Sequence, residues 1–428
     1  MNIQDIHNLF LQCTSLSIDT RKIEKNSMFF AIKGENFDAN TFAKEALDLG
    51  ALFVVIDNES YFIDERTVLV ENSLQTLQEL AKFHRAYLGL PIVALTGSNG
   101  KTTTKELINV VLSKKFKTKA TIGNLNNHIG VPLTLLSFSK ETEIGIVEMG
   151  ANHQKEIQFL CEIAQPDFGY ITNFGKAHLE GFGGVEGVIA GKSEMYQYLA
   201  AKKKTVFVNL EDPIQIEKSK GIKGFTFGVK KENADLNIQT ITANPFVAID
   251  YNNFTIESHL IGLYNANNIN AATAIGKYFE VKESDIKAAI ENYIPANNRS
   301  QMMQKGSNEI ILDAYNANPS SMAVAITNFL QLDKKNKIMI LGDMFELGDE
   351  SLYEHKVIVD SLVNQSQSIC YLIGKSFYAN SVSGENIKFF ETFDAFAEFL
   401  KTYNFDSNTI LIKGSRGMAL ERTLEYIS

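Results

Sequence analysis

Tryptophan is absent from the 428 residues, proline occurs seven times and cysteine three times. So few prolines exclude Pro-rich linkers. Cys13, Cys161 and Cys370 are odd in number and far apart. They fit neither a disulfide framework nor a CxxC metal site, and free thiols in a reducing cytoplasm are expected. No apolar run approaches the ~20 residues needed to span a bilayer. The opening MNIQDIHNLFLQC lacks a basic start and is interrupted at Asp5, so no secretory leader is expected. Basic residues are also outnumbered, 41 Lys and Arg against 50 Asp and Glu, for a formal net charge of -9. That balance argues against a dedicated nucleic-acid or anionic-membrane binder, which needs a basic face to meet phosphate. There is no low-complexity tract and no short repeat.

What is present is ordinary globular usage, 45% hydrophobic and 21% charged, which argues against wholesale disorder. At roughly 150 residues per domain the length suggests about three domains. Residues 1–85 mix short strand-like runs, at 27–34 and 51–57, with helical runs at 40–51 and 72–89. From 86 to 295 strand candidates at 91–97, 143–150, 168–175 and 204–210 alternate with helical stretches. That alternation indicates a parallel α/β sheet. The segment 234–260 reads as an antiparallel meander inserted in this unit. Residues 296–428 repeat the α/β pattern, with strands at 309–315, 337–343, 369–374 and 408–414, and predict a Rossmann-like sheet.

The sharpest local signal is GSNGKTTT at 97–104. Gly97 and Gly100 let the backbone curl so that the N–H groups of Ser98, Asn99 and their neighbours face one anion. The helix that follows adds its positive end. Lys101 would reach the outer phosphates, the Thr102 hydroxyl would bind Mg²⁺, and Thr103 would complete the cradle. The bland alternative is a glycine-rich turn capping a helix. Glu148 ends the strand EIGIVE, where a second Mg²⁺ ligand is expected beside such a loop; a strand-end Glu is otherwise a solvated group.

The shortened loop GxxGKTT resembles that of the Mur ligase family, and further motifs follow in order along nearly the whole chain. Among its members the dipeptide-adding one is the best match, on DAYNANP (313–319), LGDMFELG (341–348) and LIKGSRGM (411–418). The resemblance implies a three-domain α/β architecture: a small N-terminal uridine-nucleotide domain, a central P-loop ATPase-like parallel sheet and a C-terminal Rossmann-like domain. It implies that Thr20 and Arg21, in SIDTRKIEKNSMFFAIKGENFDA (17–39), meet the uridine nucleotide. It makes His178 a ligand of a second Mg²⁺, and Lys192 a lysine carbamoylated by CO₂ that also serves the metal. Asn126, Asn127 and Asn152 would meet the sugar nucleotide, although Asn-rich loops often only turn the chain. Asn265 and Asn268 match a Gly-x-His-Asn-x-x-Asn element, with Tyr264 where His is usual; Asn268 would contact adenine. Arg299 and Asp313 would contact ATP. Asn316, Asn318, Lys413 and Ser415 would serve the incoming amine, although Asn-Pro-Ser-Ser also reads as a helix cap.

The activity implied is ATP-dependent ligation, through an acyl phosphate, of D-alanyl-D-alanine to UDP-N-acetylmuramoyl-tripeptide, by a cytoplasmic monomer. A sister ligase adding another amino acid would share the ATP residues. A non-catalytic nucleotide-binding regulator would keep the loop but could lose Glu148, His178 or Lys192, and all three are present.

Overall fold

Asn72 opens the helix Ser73–Leu88 by accepting the Gln75 N–H on its side chain, and Gly89 closes it at φ 64. Polar cap before, left-handed glycine after, is the pairing that sets a helix length from sequence. This helix runs across residues 85–86, so the first unit hands over to the next inside a rigid element. The computed structural model describes residues 1–296, 298–363, 365 and 367–427.

The first unit holds a parallel sheet in the order Leu16–Ser17, Met28–Phe30, Phe53–Ile56, Thr67–Leu69. Its inner strands are almost entirely buried. The expected helix at 40–51 is shorter: a 3-10 turn over Ala39–Phe42 leads into Ala43–Asp48.

The central unit has seven parallel strands. Their spatial order is Leu236–Ile238, Gly224–Val229, Thr205–Asn209, Phe168–Ile171, Ile92–Thr96, Ile144–Glu148 and Thr118–Ala120. Every residue of Ile92–Thr96 and Ile144–Glu148 is buried, as a parallel sheet covered by helices on both faces requires. On one face Leu107, Ile108 and Val111 of the helix Lys101–Leu112 pack with Ile269 and Ile275 of the helix Asn265–Tyr278. On the other, Leu160 joins Met195 and Leu199 from the helices Glu156–Ala164 and Val185–Ala201.

The meander expected at 234–260 divides in two. Leu236–Ile238 extends the central sheet in parallel, and Thr240–Ala243, Phe246–Tyr251 and Phe254–Ile261 form a separate antiparallel sheet. Alternate burial of Val247, Ile249 and Tyr251 explains the second part: only one face meets the core.

The last unit is a six-stranded sheet ordered Gln301–Lys305, Asn308–Asp313, Thr409–Lys413, Lys337–Gly342, Ser368–Ile373, Ile387–Phe390. It is parallel except for Gln301–Lys305, which forms a hairpin with its neighbour. Neither edge strand is foreseen by apolar runs, because Gln301–Lys305 is only half-buried and Ile387–Phe390 is short. Among the described residues no helix is long and apolar enough to cross a membrane.

Candidate active site

The strand Ile92–Thr96 ends in a loop that cannot carry side chains at its glycines. Gly97 sits at φ +142, and a Cβ there would lie 2.0 Å from Thr172 Oγ1. Gly100, at φ +78, caps the helix Lys101–Leu112, and its Cβ would meet Asn268 Oδ1 at 2.6 Å. Both need glycine for conformation and for space. The loop is pinned by the tip of the neighbouring strand Phe168–Ile171. Asn173 O accepts the Ser98 N–H at 3.1 Å. Asn173 Oδ1 accepts the Asn99 N–H at 3.0 Å, and Thr172 Oγ1 donates to Asn99 O at 2.6 Å. Ser98 Oγ donates to Gly175 O at 2.7 Å. Lys101 folds back over the loop, its Nζ donating to Gly97 O at 2.7 Å and Ser98 O at 3.3 Å. Desolvation lowers the proton affinity of this ammonium; Glu148 opposes that shift and Arg299 adds to it. A loop of this kind, at the start of a twelve-residue helix, holds a polyphosphate.

Glu148 is 1% exposed. Its Oε1 accepts from Asn126 Nδ2 at 2.8 Å, and its Oε2 is buried without a hydrogen-bond partner. A buried carboxylate oxygen left unpaired is costly, and fits a cation arriving with the ligand. Thr102, with Glu148, lines the same cavity. Among the described residues no cluster of three or more His, Cys, Asp or Glu could hold a metal by itself.

The cavity has a volume of about 820 Å³ and brings the central and C-terminal units together. Ser98, Asn99, Gly100, Lys101, Thr102 and Thr103 line it from the loop, and Gly97 does not. Asn265 and Asn268 line it too, but their amides are already engaged. Thr104 Oγ1 donates to Asn268 Oδ1 at 2.9 Å, Asn268 Nδ2 to Asn265 Oδ1 at 2.8 Å, and Asn265 Nδ2 to Ile261 O at 2.7 Å. Tyr264 takes the position of the missing His, and its hydroxyl hydrogen-bonds Ser300 Oγ at 2.7 Å. Ser300 N–H in turn donates to Asp313 Oδ1 at 3.1 Å. Asp313 Oδ2 pairs with Lys413 Nζ at 2.6 Å, and the Arg299 guanidinium stacks 3.6 Å from the Tyr315 ring centre. Arg299, Asp313, Asn316, Asn318 and Lys413 all line the cavity.

Besides Gly97, four expected residues do not. Thr20 and Arg21 lie on an exposed turn of the first unit, where Arg21 pairs with Asp19 at 2.8 Å. Ser415, 2% exposed, braces two loops: its Oγ accepts the Phe345 N–H at 2.9 Å and donates to Ala317 O at 3.3 Å. Lys192 is fully buried beneath the cavity, its Nζ donating to Ala151 O at 3.2 Å and lying 4.9 Å from the Phe182 ring centre. Burial holds its ammonium well below the ordinary range, with nearby Lys101 pushing the same way. His178 lines the cavity, with Nδ1 2.5 Å from Glu346 Oε2. Asn127 and Asn152 line it as exposed loop residues; Asn127 Oδ1 also accepts the N–H of Gly130, where the helix Gly130–Leu136 begins, at 2.8 Å. Asn173 and Glu346 were not foreseen. Asn173 stands two residues past a parallel strand, the position from which such sites are built, and that signal could have found it.

Residues 95–276 match the Mur ligase middle domain, and residues 298–416 match the domain described as Mur ligase, glutamate ligase domain. The UDP-N-acetylmuramoyl-tripeptide--D-alanyl-D-alanine ligase of Bacillus subtilis is 32% identical over 427 residues, covering 96% of this chain and 92% of that protein. The chain belongs to the Mur ligase family. The crystal structure of MurF from Acinetobacter baumannii superposes with a TM-score of 0.86 at 30% identity, covering 99% of this chain and 97% of that one. MurF ligase from Thermotoga maritima in complex with ADP gives 0.84 at 27% identity, with 97% of each chain covered.

Proposed function

We propose that this chain is an ATP-dependent, ADP-forming ligase that joins D-alanyl-D-alanine to UDP-N-acetylmuramoyl-tripeptide during peptidoglycan precursor synthesis. The observation that carries this reading is one shared cavity. It holds a phosphate loop on one wall and the Arg299, Asp313, Asn318 and Lys413 side chains of the C-terminal unit on the other. Both relatives of solved structure and the Bacillus enzyme are described as MurF or by this same activity.

In this reading the terminal carboxylate oxygen of the tripeptide attacks the γ-phosphorus, and ADP leaves. The dipeptide amine then attacks the acyl carbon; inorganic phosphate leaves and the amine loses a proton. Phosphoryl transfer asks mainly for position and charge neutralisation. The loop N–H groups and Lys101 supply both to the phosphates. Arg299 adds a second cation, and the apolar walls at Phe159, Phe174 and Val324 help exclude water that would hydrolyse the acyl phosphate.

Mg²⁺ bound by Thr102 and Glu148 would neutralise charge on the phosphates; the unpartnered Glu148 Oε2 supports that placement. A carbamate on Lys192, with His178, belongs to the same reading. The lowered proton affinity of Lys192 supports it, because only a neutral amine combines with CO₂. The units at 1–85, 86–295 and 296–428 would take the uridine nucleotide, ATP and the dipeptide, in a cytoplasmic monomer.

The test is phosphate release with the tripeptide nucleotide and a panel of amines. D-alanyl-D-alanine should support turnover, and L-lysine or meso-diaminopimelate should not. Efficient turnover with a single amino acid would move the chain to a sister ligase. Labelling with ¹³C-bicarbonate tests the modification separately: a carbamate carbon resonance should appear in the wild type and be missing in Lys192→Arg.

A further inference from the structure

Lys176 is gripped at both ends by the C-terminal unit. Its backbone N–H donates to Ser320 Oγ at 2.9 Å, in the first turn of the helix Pro319–Gln331. Its ammonium donates to Glu354 Oε1 at 2.6 Å, on the helix Ser351–Leu362. Neither Lys176 nor Glu354 lines the cavity, yet Gly175, Ala177 and His178 beside Lys176 do.

We propose that the Lys176–Glu354 ion pair is a latch that seats the C-terminal unit over the nucleotide loop, making Lys176 a positioning residue for the incoming amine. This rests on the ligase reading above. Three observations carry it. First, the segment 173–178 is anchored on the central unit: Asn173 and Gly175 accept from Asn99 and Ser98, so Lys176 reaches the C-terminal unit from a fixed base. Second, the same segment meets the C-terminal unit again at His178 and Glu346, so the pair works with a second contact two residues on. Third, burial is unequal. The Glu354 side chain is 6% exposed and that of Lys176 is 45% exposed. With the units together, the carboxylate depends on the ammonium that reaches it. Deleting the ammonium leaves a buried charge uncompensated, which costs more than deleting both charges. The penalty falls on the seated arrangement, where the dipeptide meets the acyl phosphate, and spares nucleotide binding to the central unit.

The experiment compares wild type, Lys176→Met, Glu354→Gln and the double variant. Each is read for kcat and KM with D-alanyl-D-alanine, ATP dissociation constant and thermal midpoint. Lys176→Met should lower kcat/KM for the dipeptide on the order of tenfold, and leave ATP affinity within about twofold. Adding Glu354→Gln should restore most of the loss, because the stranded carboxylate is gone. Unchanged kcat/KM in Lys176→Met would overturn the proposal. So would losses that multiply in the double variant, or a parallel loss of ATP affinity. An inactive wild type would instead overturn the ligase reading.

Discussion

Asn318 Nδ2 donates to Asn99 Oδ1 at 2.7 Å, joining the C-terminal unit to the middle of the phosphate loop across 219 residues of sequence. The same Asn318 caps its own helix: its Oδ1 accepts the Ser321 N–H at 2.9 Å, and Ser321 Oγ accepts the Asn318 N–H at 3.0 Å. One carboxamide thus does two separable jobs, with its oxygen serving the helix and its nitrogen the loop.

Asn318→Ser separates them. Serine is a good cap but too short to reach Asn99. Its thermal midpoint should stay near wild type while ligation falls. Asn318→Ala removes the cap as well and should lose about 1 kcal/mol of stability in addition. Paired melts and phosphate-release assays check this. Full activity in Asn318→Ser would show that the Asn99 contact is idle.

Gly97→Ala places a methyl where Thr172 Oγ1 already sits, at a φ that L residues rarely adopt. Strain of this kind costs of order 1–3 kcal/mol, and relieving it means moving Thr172 away from Asn99 O. ATP affinity should therefore drop more than the melting midpoint does, which isothermal titration beside a melt would read. Wild-type affinity would mean that the loop tolerates a side chain.

How much of this was legible in the sequence follows from how local each feature is. The phosphate loop is one contiguous turn between a strand and a helix, so glycine spacing and the Lys-Thr pair reveal it. Glu148 follows from strand-end logic. The cap at Asn318 reads directly. The partners of these groups do not. Asn173 can be placed at a strand end, but that it meets the phosphate loop depends on its strand lying next to Ile92–Thr96 in the sheet, and strand order has no local signature. Glu346 and Glu354 meet His178 and Lys176 only when two units pack. The segment 234–260 shows the same limit: its alternation marks strands, but which sheet each strand joins is decided by the edge it finds.

Lys101→Ala should abolish ligation without unfolding the protein. The Lys101 ammonium bonds only loop carbonyls among the described residues, and no core packing depends on it. Loss of one pre-organised charge on the transferring group lowers turnover by about 10²–10³-fold. Near wild-type turnover of the folded variant would remove Lys101 from the chemistry.

The last prediction concerns a buried pair far from the cavity. His7 Nε2 lies 3.0 Å from His84 Nδ1, and His84 Nε2 lies 3.0 Å from Phe138 O. Because a carbonyl only accepts, His84 carries its proton on Nε2, its Nδ1 accepts, and His7 donates from Nε2. Charging either ring brings in a proton with nowhere to point. Burial, with His84 beside it, lowers His7 from 6.5 to about 4, and burial lowers His84 as well. The folded state therefore binds fewer protons than the unfolded chain between pH 6.5 and about 4, so stability rises with pH across that window. The contribution is fully present above the unfolded value and is lost as the pH falls from there through the folded value of about 4. Phe10, Phe83 and Tyr87 surround the pair, and none offers a charge to compensate. His7→Gln can still donate to His84 but does not titrate, so its urea midpoint should vary less between pH 7 and pH 4.5 than that of the wild type. Equal slopes for the two proteins would show that the acid sensitivity of the fold lies elsewhere.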